Sequence, residues 1–90
     1  MQNIIIGYTP RFIRQYKKLY KPIQAEVKEK IELFKKTENH QKLKVHALSG
    51  VYKNTFSFSI NYSYRIIFEY INKERTEIAL LQVGNHDLYK

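Results

Sequence analysis

Midway along this chain the hydrophobic period changes from about 3.6 residues to 2, and that switch restricts the fold more than any other feature of the sequence. Before it, Phe12, Ile13, Tyr16, Leu19 and Tyr20 fall on one helical face, while Arg11, Arg14, Lys17 and Lys18 point elsewhere. Ile23, Val27, Ile31 and Phe34 make a second apolar stripe, with Glu26/Lys30 and Glu32/Lys36 spaced as supporting i,i+4 pairs. After it, Tyr52 to Ile60 alternates, with Tyr52, Phe56, Phe58 and Ile60 on one side and Lys53, Thr55, Ser57 and Ser59 on the other.

Local signals divide these patterns into elements. Asn3 to Tyr8 reads as a strand, because three consecutive isoleucines favour a pleated backbone. Thr9-Pro10 supplies an N-cap and a proline at the first helical position. Lys21-Pro22 breaks that helix and starts another, which ends near Lys36-Thr37. Glu38 to Gly50 is polar and irregular. Asn61-Tyr62-Ser63 reads as a tight turn, and Tyr64 to Ile71 and Ile78 to Val83 as the last two strands.

The expected architecture is a single α+β domain over residues 1–90: an N-terminal strand, an antiparallel two-helix hairpin, then a three-stranded antiparallel meander. Both helices pack on one face of a four-stranded antiparallel sheet. The other face is then open. Strand parity places Arg65, Ile67 and Glu69 on it with Lys53; if the last strand stays regular, Gln82 and His86 share one face, and Leu81 and Val83 the other.

Charge is unevenly distributed. The net value is +8, and residues 1–50 hold 11 Lys/Arg against 4 Glu, whereas residues 51–90 hold 5 against 4 acidic residues. Such a basic half attracts RNA, DNA or an acidic protein partner, or serves solubility alone. With no cysteine, neither a disulfide nor a thiolate metal site is possible. His40, His46 and His86 have no metal-ligand spacing, and Gly7, Gly50 and Gly84 form no phosphate-binding loop, so no metal or cofactor is expected. The N-terminal apolar run is too short for a signal sequence or membrane span, so the expected compartment is the cytoplasm.

Arg65 is the most informative residue. Inside Tyr64-Arg65-Ile66-Ile67-Phe68 its charge needs solvent or a partner: a cross-strand carboxylate, Glu69 or Glu77, or a bound phosphate, onto which a guanidinium forks. His40 reads as ordinary loop surface, His46 lies in the loop before the meander, and His86 stands near the end beside Tyr89.

Three segments together resemble the RelE/ParE toxin superfamily. Tyr64-Arg65-Ile66-Ile67-Phe68 resembles its strand signature, Gly84-Asn85-His86-Asp87-Leu88-Tyr89 the C-terminal ending of the RelE and YafQ branches, and His46-Ala47-Leu48-Ser49-Gly50 a loop of YafQ-like members. The resemblance implies the toxin of a type II toxin–antitoxin system, a ribosome-dependent mRNA endonuclease with a cognate antitoxin protein and metal-independent acid–base chemistry. It implies Arg65 at the scissile phosphate, His46 and His86 in acid–base roles, and Tyr89 as the terminal aromatic, one residue closer to the histidine than in many members. Lys44, Lys53 and Gln82 are the further residues expected to touch RNA. This sequence departs from the pattern where the RelE branch has strand lysines, here Phe56 and Phe58, and where the YafQ branch has a further His and Asp, here Ser59 and Ser63. The same scaffold also implies two alternatives: a ParE-like inhibitor of DNA gyrase, or a decayed module that only binds RNA or antitoxin.

Overall fold

The computed structural model describes residues 3–48 and 54–85. The chain runs β1 (Ile5–Tyr8), α1 (Pro10–Lys17), α2 (Lys21–Phe34), a 3-10 turn (Thr37–Asn39), β2 (His46–Ala47), β3 (Phe56–Ser59), β4 (Tyr64–Tyr70) and β5 (Glu77–Asn85). The α+β class, the helical hairpin and the β3–β4–β5 meander follow the expected order.

The sheet differs from expectation in two ways. It has five strands in the order β1-β5-β4-β3-β2, and β1 pairs with β5 in parallel, Ile5 opposite Glu77 and Tyr8 opposite Leu80. Residue patterning reports which side of a strand is apolar but not its direction. The added strand, β2, is two residues long and lies in a polar stretch with no alternation to reveal it.

Thr9 caps α1, its Oγ1 accepting from the Phe12 amide at 3.2 Å. The helix stops at Lys17, so Tyr20, expected on its apolar face, is 79% exposed. Gln24 closes the hairpin, donating from Nε2 to the Tyr16 carbonyl at 2.9 Å. At the far end of α2, Asn39 Nδ2 donates to the Leu33 carbonyl and His40 Nε2 to the Phe34 carbonyl, at 2.8 and 2.9 Å. These satisfy carbonyls that a helix C-terminus leaves unpaired. His40 also stacks on Phe34 at 4.4 Å between ring centroids, so it is a structural residue rather than loop surface.

Neither expected i,i+4 ion pair forms. Lys36 has extended backbone beyond the helix, so Glu32 pairs with Lys35 at 2.7 Å instead. Glu26 accepts from Asn61 Nδ2 at 3.0 Å, and Lys30 meets Glu29.

The core lies between the helices and one sheet face. Phe34 sits at its centre, stacked on Phe58 at 4.4 Å and edge-on to Phe68 at 4.9 Å. Val27, Ile31, Ile66, Ile78, Leu80 and Val83 surround them, all buried. Among the described residues, no helix is long and apolar enough to cross a membrane.

β5 is not regular. Ile67 pairs with Gln82 but Phe68 with Leu80, which leaves Leu81 as an extra residue in a bulge. The bulge frees backbone groups that α1 then satisfies. Thr9 Oγ1 donates to the Leu80 carbonyl at 2.8 Å, and the Val83 amide donates to Gln15 Oε1 at 2.9 Å. Leu80, not Leu81, is therefore the core residue that accompanies Val83. In a regular strand Leu80 and Val83 would face opposite sides; the extra residue brings both into the core.

Candidate functional site

Strand register builds a site on the sheet face opposite the helices. His46 pairs with Ser57, Ser57 with Ile67, and Ile67 with Gln82, giving one row across four strands. The next row is Ser59, Arg65 and Gly84. Directly opposed residues in paired strands share a face. Gly84 brings no side chain to that row, so none from β5 stands directly beside Arg65.

Arg65 is half-buried, and its Nη1 donates to Ser59 Oγ at 2.8 Å. It makes no ion pair among the described residues. The cross-strand carboxylate alternative therefore fails for geometric reasons. Glu69 lies four residues along the same strand, about 13 Å away at strand rise. Glu77 sits at the opposite end of β5, beside Ile5. The guanidinium is oriented by a neutral hydroxyl, and no carboxylate among the described residues compensates its charge.

Lys44 adjoins this group. The Ser59 amide donates to the Leu43 carbonyl at 2.9 Å, which brings the chain before β2 alongside β3. Lys44 then takes a left-handed backbone with φ 60°, and its carbonyl accepts from His46 Nδ1 at 2.8 Å. A carbonyl can only accept, so Nδ1 carries the proton in neutral His46. Nε2 is then the basic nitrogen, on an exposed ring.

Lys44, Ser59, Asn61, Tyr62 and Arg65 line a basin of about 420 Å³. It holds two cations and three neutral hydrogen-bonding groups, a donor set suited to phosphate oxygens. His46 approaches from the neighbouring row, two strands across and two residues along from Arg65, a backbone separation of about 12 Å.

The sequence-derived residues thus divide into two groups. Arg65, Lys44, His46 and Gln82 stand on or beside the face opposite the helices, which was expected to be open but whose central residues Ser57 and Ile67 are buried. Lys53, His86 and Tyr89 lie outside the described residues. Two serines were not among the candidates. Ser59 orients Arg65, and the alternation of β3 already placed it on the open face. Ser57 is fully buried in the His46 row, and its Oγ has no hydrogen-bond partner among the described residues.

Comparison with known proteins places the chain in a family. The family model for the ParE toxin of the type II toxin–antitoxin system parDE matches residues 6–87. Among solved structures, the RelBE2 toxin–antitoxin complex of Mycobacterium tuberculosis has a chain with 24% identity and a TM-score of 0.72, covering 93% of this chain and 99% of that one. YafQ from Escherichia coli strain BL21(DE3) superposes with a TM-score of 0.77 at 15% identity, covering 97% and 99%. A double mutant of the E. coli toxin RelE in the free state gives 0.71 at 17% identity, covering 99% and 88%. At such identities these structures establish the shared fold alone. No curated protein matches in sequence. With a family model spanning nearly the whole chain and this fold beneath it, the chain belongs to the RelE/ParE superfamily of type II toxin–antitoxin toxins.

Proposed function

We propose that this toxin is an endoribonuclease that cuts mRNA on the ribosome by acid–base chemistry, with Arg65 holding the scissile phosphate. The observation that carries the reading is the Arg65 guanidinium, half-buried on the face opposite the helices, without a carboxylate partner among the described residues and aimed by Ser59.

RNA cleavage by the 2′-oxygen needs three things: removal of the 2′ proton, stabilisation of the pentavalent phosphate, and protonation of the departing 5′-oxygen. The 2′-oxygen forms the new bond to phosphorus as the bond to the 5′-oxygen breaks. His46 Nε2 serves as the base that takes the 2′ proton, and His86 as the acid that supplies the 5′-oxygen. Arg65, with Lys44 and Lys53, meets the developing charge. Gln82 contributes an amide to the same face, and Tyr89 stacks on or orients the substrate. The basic first half draws the whole molecule toward RNA.

The partner in this reading is a cognate antitoxin, as in the relatives solved as complexes, RelBE2 and the RelE–RelB pair of Pyrococcus horikoshii. An apolar groove of about 340 Å³ lined by Tyr8, Phe12, Ile13, Tyr16 and Ile31 suits one face of an amphipathic antitoxin segment.

A second reading is favoured by the family model itself, which describes a ParE toxin. In that reading the target is DNA gyrase, and His46, His86 and Tyr89 have no chemical role.

Induced expression in bacteria separates the two. Wild type is compared with Arg65→Ala and His86→Ala for growth and for mRNA 5′ ends. The nuclease reading expects growth arrest with new cuts inside translated codons, both relieved by the substitutions. Arrest with intact mRNA and induced DNA damage would favour the gyrase reading. Normal growth on wild-type expression would point to the decayed module.

A further inference from the structure

Beside Arg65 stands a tyrosine that neither the fold nor the acid–base scheme uses. Tyr62 is 91% exposed, the highest value of any large apolar or aromatic side chain among the described residues. A single exposed aromatic is ordinary. The backbone beneath it is not loose. Asn61 Oδ1 accepts from the Ser63 and Tyr64 amides at 2.8 and 2.9 Å, an Asx turn that pins the chain on the C-terminal side. The Ile60 amide donates to the Tyr64 carbonyl at 2.9 Å, and the Ile60 side chain is buried. Asn61 Nδ2 donates across to Glu26 Oε1 on α2, so the turn is tied to the helical layer as well. An aromatic ring is thus held in water on a braced turn, on the rim of the basin that contains Arg65 and Lys44.

We propose that Tyr62 is a stacking platform for a nucleobase of single-stranded RNA whose phosphate lies on Arg65 and Lys44. The inference rests on the nuclease reading and adds a specificity-determining contact to it. Three arguments favour RNA as the occupant. The cations beside the ring carry no carboxylate partner among the described residues. A phosphate and a planar base occur together in every nucleotide, as a guanidinium and a phenol ring do here. Stacking also tolerates any base, because every base has a π face, which suits an enzyme meeting many messages. The braced turn keeps the ring's anchor in place before RNA arrives, which lowers the ordering cost of binding.

The chain has no tryptophan, so Tyr62→Trp creates a unique fluorophore at the site. The variant is titrated with a 2′-O-methylated single-stranded RNA oligonucleotide, which lacks the attacking hydroxyl, and with inorganic phosphate. Binding of the same oligonucleotide, end-labelled, is followed by anisotropy for wild type, Tyr62→Ala, Tyr62→Phe and Arg65→Ala. The expected result is saturable quenching of the tryptophan by RNA but not by phosphate. Tyr62→Ala weakens binding roughly 5- to 100-fold, the range alanine substitution gives for one stacked base, while Tyr62→Phe stays close to wild type. If RNA binds in an Arg65-dependent manner while the tryptophan stays unquenched and Tyr62→Ala binds normally, Tyr62 is not the platform and the nuclease reading survives. If Tyr62→Ala keeps its RNA affinity but escapes antitoxin inhibition, the platform belongs to a protein partner and the proposal is overturned. Absence of RNA binding by wild type, with no cuts in mRNA on expression, overturns both.

Discussion

Ser59 and Arg65 face each other across the β3–β4 pair, and the serine Oγ accepts a 2.8 Å hydrogen bond from the arginine Nη1. The hydroxyl fixes where the guanidinium points without neutralising it, which is the arrangement a phosphate clamp requires. In the nuclease reading, Arg65→Ala lowers the cleavage rate about 10²- to 10³-fold, the scale of losing a principal anion-stabilising donor. Ser59→Ala leaves the charge but removes its orienting bond, so its loss is smaller, roughly 10-fold or less. Ser59→Thr restores most of the rate. A time course of mRNA cleavage on stalled ribosomes ranks the three; equal defects in Ser59→Ala and Arg65→Ala would contradict the ranking.

The β5 bulge depends on α1. Thr9 Oγ1 caps the helix and also reaches the Leu80 carbonyl, so Thr9→Ala removes a cap and a cross-element bond together. The expected cost is about 1–2 kcal/mol in urea unfolding, with Thr9→Ser recovering part of it. Gln15→Ala leaves the Val83 amide without its acceptor. Hydrogen exchange at Val83 then accelerates more than at Ile66, its partner on β4. Unchanged exchange at Val83 would mean the bulge needs no support from Gln15.

How much was legible beforehand follows the same division between side-chain pattern and backbone pairing. The alternation of Phe56–Ser59 and Tyr64–Tyr70, with a turn at 61–63, was enough to place Ser57, Ser59, Arg65 and Ile67 on one face. Such parity is a property of single strands. The parallel pairing of β1 is a property of two strands far apart in sequence, and no residue near β1 encodes it. Nor did β5 announce its bulge. Leu80-Leu81-Gln82-Val83 fits a regular strand as well as a bulged one, and the choice rests on Thr9 and Gln15, some seventy residues away. Parity put Gln82 on the Arg65 face, where the register has it, but it could not show that Leu80 rather than Leu81 joins Val83 in the core. His40 escaped notice because a lone polar residue in an irregular stretch gives no sign of the Phe34 ring it covers. Arg65 drew notice because a charge in an apolar strand demands an explanation.

Ser57 gives a stability prediction with the opposite sign to most. Its hydroxyl is fully buried between His46 and Ile67 and has no hydrogen-bond partner among the described residues. A buried polar group left unpaired costs about 1–3 kcal/mol, so removing it relieves part of that cost. Ser57→Ala is expected to be neutral or up to about 1 kcal/mol more stable, read as a higher urea midpoint at unchanged slope. A loss of more than about 1 kcal/mol would show that the hydroxyl has a partner in solution.

Tyr70 makes stability depend on alkaline pH. It lies at the end of β4, where the Arg75 guanidinium sits 4.8 Å from its ring centroid and 5.3 Å from that of Phe56. Burial raises the Tyr70 hydroxyl above its ordinary value, and the Arg75 charge opposes the rise without reversing it. The folded state therefore holds the Tyr70 proton more tightly than the unfolded chain. Below about pH 10 both states are protonated, and the contribution to stability is fully present. As pH rises further the unfolded chain releases the proton first, and that contribution is lost through the folded-state titration. Tyr70→Phe keeps the ring against Arg75 and has no proton to release. Its melting temperature should match wild type near neutrality and exceed it progressively above about pH 10. Every other ionisable group is common to both proteins, so its effect cancels in the difference. A gap between the two that stays constant from pH 7 to 11 would mean that Tyr70 is not the source of the alkaline loss.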